Sequence, residues 1–180
     1  MLDKNKIEAA AASERAEILF EAGISQLKEV DRKGRDAAKC QSILSSLRFP
    51  EMAMRHSQIP DTYADTFAWV LTNPPFRPWL ENSEGIFWIN GKPGSGKSTM
   101  MKMLFDSKTT RQVLETWAGS KKLVVASFFF WSTGYPMQKS QLGFLKSLLY
   151  QTSRQCPDKI PHACPERWRG GESEHKRPDT

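Results

Sequence analysis

A chain of 180 residues, 39% hydrophobic and 26% charged, holds enough apolar material for one core plus an appendage, which excludes wholesale disorder. No apolar run reaches the ~18 residues of a membrane span, and the start "MLDKNKIEAAAASERAEILF" is acidic as well as basic, which excludes a secretory signal. Four of the six excess positive charges fall in residues 51–150; this suits a polyphosphate ligand, and without a long basic stripe nucleic acid is not indicated.

Residues 1–48 read as an N-terminal helical region. Ile7, Ala10, Ala11, Ile18, Leu19, Ala22, Leu27 and Val30 recur at three- and four-residue steps, which predicts a helix over 3–30. The stretch "DRKGRD" predicts a break at Gly34, and a second helix over 36–47 follows, with Ala37, Cys40, Ile43, Leu44 and Leu47 on one side. This pair is expected to pack on a protein partner or on the core. Residues 49–84 form a linker, bracketed by Pro50 and Pro60, and a helix over 62–71 that "NPPFRP" stops.

Residues 85–156 carry the pattern of a nucleotide-binding core. "GIFWIN" (85–90) is a predicted strand, followed by a glycine loop, a helix over 97–105 and a second helix over 109–117 that Gly119 ends. "KKLVVASFFFW" (121–131) is β-branched, aromatic and apolar on both faces, which predicts a strand buried in a parallel sheet. A helix over 140–155 presents Leu142, Leu145, Leu148 and Leu149 on one face. The order is that of a βαβ crossover, so the expected fold class is α/β with a parallel sheet. Residues 157–180 are rich in Pro, Gly and charge, and read as an irregular or disordered tail.

The three cysteines, Cys40, Cys156 and Cys164, are odd in number and widely spaced, which suits a reducing, cytoplasmic compartment. Cys156, His162 and Cys164, with His175 as the nearest fourth ligand, lack the paired spacing of a zinc site and read as loop residues.

The motif with chemistry is Gly91-Lys92-Pro93-Gly94-Ser95-Gly96-Lys97-Ser98, which fits G-x-x-x-x-G-K-[ST] without a mismatch. Gly91, Gly94, Ser95 and Gly96 let the backbone curl into a nest of N–H groups around an anion. The helix starting at Lys97 aims its dipole and unpaired amides at the same place. Lys97 reaches the β- and γ-phosphates, Ser98 is the Mg²⁺ ligand, and Thr99 is expected at the α-phosphate. The expected ligand is a nucleoside triphosphate with Mg²⁺: ATP, with GTP still open.

Catalysis is a separate question. A P-loop NTPase places an acid at the end of a second apolar strand, and "LVVASFFFW" ends in Ser132-Thr133 instead. Asp106, Glu115 and Glu84 have no positional argument and read as solvated charges, and Arg111 and Arg154 are equally unplaced. No N-K-x-D base reader follows the loop. No catalytic residue is assigned, and whether the chain is an enzyme stays open.

Several segments resemble one family. "SLRFPEM" (46–52), "TFAWV" (66–70), "GIFWINGKPGSGKSTMMK" (85–102), "SFFFWSTG" (127–134) and "QKSQLGFLKSLLYQ" (138–151) look like the N-terminal half of fungal NACHT-type STAND P-loop NTPases, a region also described as a nephrocystin-like N-terminal domain. The resemblance implies part of an AAA+-related α/β core that binds ATP as a signalling switch, and it puts Thr66–Trp69 near the adenine. The family's acidic Walker B strand and winged-helix module have no counterpart here, and "GGESEHKRPDT" does not match. The expectation is therefore ATP binding by a truncated module, with weak or no hydrolysis. The alternative is a non-enzymatic interaction or decoy protein derived from such a switch.

Overall fold

A computed structural model describes residues 2–61, 66–82 and 84–170, with side chains from Glu14 onward. The chain divides into two compact units, residues 1–45 with 160–180, and residues 46–159. Among the described residues no helix is long and apolar enough to cross a membrane.

The first unit is built on α1, Leu2–Leu47, which is continuous where a break at Gly34 was expected. A mid-helix glycine costs only about 1 kcal/mol relative to alanine, and ion pairs reinforce the backbone around it. Arg32 bonds Glu29 at 2.7 Å and Asp36 at 3.1 Å, the second pair reaching across Gly34, and Arg35 on the far side pairs with Asp31. Bonding to Arg32 holds the Glu29 carboxyl down at about 2. The single-turn helices α7 (Ile160–Ala163) and α8 (Pro165–Gly170) belong to the same unit, where the Lys39 ammonium lies 5.3 Å from the Trp168 ring centre.

The second unit holds α2 (Met54–Gln58), a 3₁₀ turn over Ala68–Thr72, α3 (Phe76–Asn82), α4 (Lys97–Asp106), α5 (Lys108–Ala118) and α6 (Gln141–Gln155). The expected helix over 62–71 falls partly on residues 62–65, which lie outside the described residues. Val70, Phe76, Leu80, Met100, Leu104 and Val113 form the core, and Phe67, Phe87 and Ile89 pack against it. Ser107 caps α5 by accepting from the Thr110 amide at 3.3 Å, and Gly119, at φ 58°, ends it.

The expected parallel sheet is not there, and the fold of the described residues is all-helical. A strand needs a neighbour 4.7–4.9 Å away, and the two strand-like runs instead line a common cavity of about 770 Å³. Residues 85–90 keep the alternation of a strand without its ladder: Phe87 and Ile89 turn inward while Ile86 and Trp88 stay 90% and 82% exposed. An aromatic triangle holds the run in place, with Phe87 5.1 Å from Phe76 and 5.3 Å from Trp79 between ring centres.

The run over 122–131 is held by side chains instead of a strand. The Gln151 amide donates to the Ser127 carbonyl at 2.7 Å and accepts from the Ser127 N–H at 3.0 Å. Gln155 repeats the arrangement on Val125, at 2.8 and 3.4 Å. Four residues of helix rise about 6.0 Å and two residues of extended chain about 6.6 Å. Glutamines four apart on α6 therefore match residues two apart on an extended run.

This arrangement predicts an asymmetric cost along α6. Gln151→Leu leaves the Ser127 N–H and C=O without partners, a loss of about 1–3 kcal/mol. Gln141→Leu, at an exposed position of the same helix, changes stability by about 0.5 kcal/mol or less. Urea denaturation of the two variants separates these outcomes.

Candidate phosphate-binding loop

The glycine loop leads from the aromatic triangle into α4. Gly94 and Gly96 have φ of +78° and +80°, in the left-handed region that a side chain resists. Gly91 differs from them: a Cβ there would stand 2.8 Å from the Ser95 hydroxyl oxygen, which a turn of that side chain relieves. The loop is fastened at its base by the Ser95 amide donating to the Lys92 carbonyl at 3.2 Å. The Gly91 amide donates to the Asn90 side-chain oxygen at 2.7 Å.

Beyond Ser95 the amides are free. Gly96 occupies the N-cap position of α4, no side chain caps the helix, and the first amide to bond back is Met100, to the Gly96 carbonyl at 2.9 Å. Among the described residues the amides of Gly96, Lys97, Ser98 and Thr99 have no acceptor. Four donors in succession at a helix start form a region of positive potential. The exposed Ser98 hydroxyl has no hydrogen bond there either, which leaves its oxygen available to a hard cation.

Lys97 is folded back onto the loop. Its ammonium donates to the carbonyls of Gly91 and Lys92, each at 2.7 Å, and lies 3.4 Å from the Ser95 hydroxyl. The structure thus brings Gly91, Gly94, Ser95, Gly96 and Lys97 into one turn, with Ser98 and Thr99 on the first turn of α4 behind it.

Sequence reading missed part of what surrounds this turn. The ring of Phe67, within the Thr66–Trp69 segment that the resemblance singled out, lies against Gly96, where a Cβ would meet it at 3.0 Å. Lys102, one turn along α4, is buried; it donates to the Ile59 carbonyl at 2.9 Å and to Asp61 at 2.6 Å. A lone lysine inside the apolar "MMKMLF" was the signal for such a partner. At the far end of α4, Asp106 and the His56 ring are 3.1 Å apart. Glu115 pairs with Arg111, and Glu84 is exposed. Arg154 sits over the Tyr150 ring. Among the described residues no group of three His, Cys, Asp or Glu side chains is arranged to hold a metal ion.

The sequence profile of the family described as Nephrocystin 3, N-terminal matches residues 65–179, which includes the whole loop. The chain is also similar to the vegetative incompatibility protein HET-E-1 of Podospora anserina, with 30% identity over 101 residues. That match covers 54% of this chain and 7% of the relative, so the chain spans a small part of that protein's length. No solved structure matches.

The Lys102–Asp61 pair carries a pH signature. Bonding to Lys102, and then its charge, holds the Asp61 carboxyl below its ordinary 3.8. Its contribution to stability is therefore complete above that value and disappears as pH falls through the depressed one. Asp61→Asn should flatten this part of the acid limb in thermal melts taken between neutral and low pH, and leave the neutral limb's shape unchanged.

Proposed function

The chain belongs to the nephrocystin 3 N-terminal family, and we propose on that premise that Gly91–Thr99 binds the polyphosphate of a nucleoside triphosphate. The observation that carries this reading is the run of four acceptor-free amides at the start of α4, beside a lysine within the same turn. Such a site fits an anion with several oxygens better than any other ligand class. The chain then acts as the nucleotide-holding part of a NACHT/STAND-type signalling module, with ATP as the ligand and GTP as the competitor to test.

Binding proceeds by exchange at the lysine. The Lys97 ammonium leaves the Gly91 and Lys92 carbonyls for phosphate oxygens, while the amides of Gly96–Thr99 close on the same group. Ser98 would hold Mg²⁺, which supplies charge neutralisation between the phosphates. Gly94 and Gly96 keep the backbone open enough for this approach, and Phe67 braces Gly96 from behind.

Holding the phosphate does not by itself break it. Hydrolysis needs a carboxylate or similar group that orients the attacking water, because phosphoryl transfer depends on positioning and electrostatics. Asp61 beside α4 and Asp106 at its last position are engaged by Lys102 and His56. The reading is therefore of binding with weak or no turnover by this chain alone.

Two measurements test it. Titration with a fluorescent ATP analogue and Mg²⁺ should show a roughly ten- to hundred-fold loss for Lys97→Ala, from a charge-assisted contact of about 1.5–3 kcal/mol. Lys92→Ala should change little, because the loop uses that residue's carbonyl; equal affinities for wild type and Lys97→Ala would refute the assignment. Phosphate release followed for hours should stay at the Lys97→Ala blank. A Lys97-dependent turnover of about one per second, the low end of working enzymes, would show that a catalytic group acts at this loop.

A further inference from the structure

A smaller cavity of about 240 Å³ lies within residues 46–159, walled in part by α2 and α6. It shares Phe105 and Ser127–Phe129 with the larger cavity, and no residue of Gly91–Thr99 lines it. Its volume falls below the ~300–1,000 Å³ of drug-sized pockets, which suits a compound of one ring with one substituent.

The charge of this cavity is one-sided. Arg55 comes from α2 and Arg154 from α6, and no Asp or Glu is among the lining residues. Neither guanidinium has a carboxylate partner among the described residues. Arg55 lies 5.2 Å from the Trp131 ring centre and Arg154 5.7 Å from that of Tyr150. Such contacts orient the face of a guanidinium and leave the donors on its edge unspent. The Arg55 Nε–H is moreover buried without an acceptor. A buried donor on a cation is costly to leave unpaired, and in a native fold it calls for an ion, a water or a ligand. Asp106 bonds the His56 ring at 3.1 Å and is not part of the lining.

The other walls are aromatic. Phe105 and Phe129 stand 5.9 and 5.7 Å from the His56 ring between centres, and Phe128 and Tyr150 complete the enclosure. The cavity thus joins two arginines without counter-ions to an apolar, ring-lined space.

We infer that it binds an aryl phosphate, a phosphate monoester carried on an aromatic ring. The monoester brings about −1.5 to −2 charges at neutral pH, which two guanidiniums match, whereas a single carboxylate leaves one cation unpaired. Guanidinium forks suit phosphate oxygens, and the Arg55 Nε–H gains its acceptor. The ring of the ligand fills the space beside Phe105, Phe128 and Phe129. A nucleoside triphosphate is too large and too highly charged for this volume, which separates the cavity from the glycine loop in ligand class. The same group arrives either on a free small molecule or as the phosphorylated tyrosine of a peptide.

Isothermal titration of the full chain with phenyl phosphate, at constant ionic strength, should show saturable binding. Inorganic phosphate lacks the ring, phenol lacks the anion and benzoate has a single charge; each should bind at least about tenfold more weakly. Arg55→Met and Arg154→Met should each lose at least about tenfold in affinity for phenyl phosphate, while Lys97→Ala keeps the wild-type value. If Arg55→Met does not fold, the variant at the exposed Arg154 decides. A tyrosine-phosphorylated peptide that binds more tightly than phenyl phosphate identifies a modified side chain as the source, and weaker binding identifies a free small molecule; both support the site. Absence of saturable binding, equal binding of inorganic phosphate or benzoate, or full affinity in the arginine variants overturns the proposal. So does a loss confined to Lys97→Ala, which would put the probe on the glycine loop.

Discussion

Backbone N–H and C=O groups withdrawn from water need partners, and in residues 46–159 two glutamine side chains supply them along one edge of the most apolar run in the chain, at Val125 and Ser127. A primary amide carries a donor and an acceptor at once, so Gln151 and Gln155 each reproduce what one residue of a neighbouring strand would offer. Because α6 carries both, the apolar run takes its register from helix spacing. Gln138 adds a further tie, accepting from the Tyr135 amide at 2.9 Å and donating to the Glu51 carbonyl at 3.2 Å. Gly143 completes the junction, since a Cβ at that position of α6 would overlap the Met137 carbonyl.

From that frame α4 serves as the hub. Met100 and Leu104 fix it in the core, Lys102 ties it to the connector at Ile59 and Asp61, and Asp106 meets His56 from α2. The glycine loop is the N-terminal extension of this restrained helix. Its amides stay unpaired because the helix holds them in place and no side chain reaches them. A helix tied at three levels is a firm base for a loop whose own conformation depends on two glycines at positive φ.

What the sequence made legible was the local part. The motif from Gly91 to Ser98 implies its turn because the glycines, the lysine and the helix start are neighbours in the chain. The helices of the core follow from apolar spacing: α4, α5 and α6 lie within a residue of the expected ranges at each end. The expected sheet was a wrong reading, because a strand is a relation between segments, and propensity in "LVVASFFF" says only that the backbone prefers to be extended. The glutamines on α6 look like ordinary polar helix positions until their partners are known. Gly34 misled for the opposite reason, since local charge pairing outweighed its helix penalty. Phe67 on Gly96, and Asp61 on Lys102, join residues 29 and 41 positions apart, which no periodicity records.

The folded-back lysine lets the loop hold its own curvature. With its ammonium seated on two main-chain oxygens, the turn carries its own stand-in for the contacts a phosphate would bring, and so keeps its curvature without one. On the proposed reading, an arriving anion would take the ammonium from the Gly91 and Lys92 carbonyls. Net heat on binding should accordingly be a small difference between two similar sets of charge-assisted bonds, so that selectivity at this loop rests on the geometry of exchange more than on the strength of any one contact.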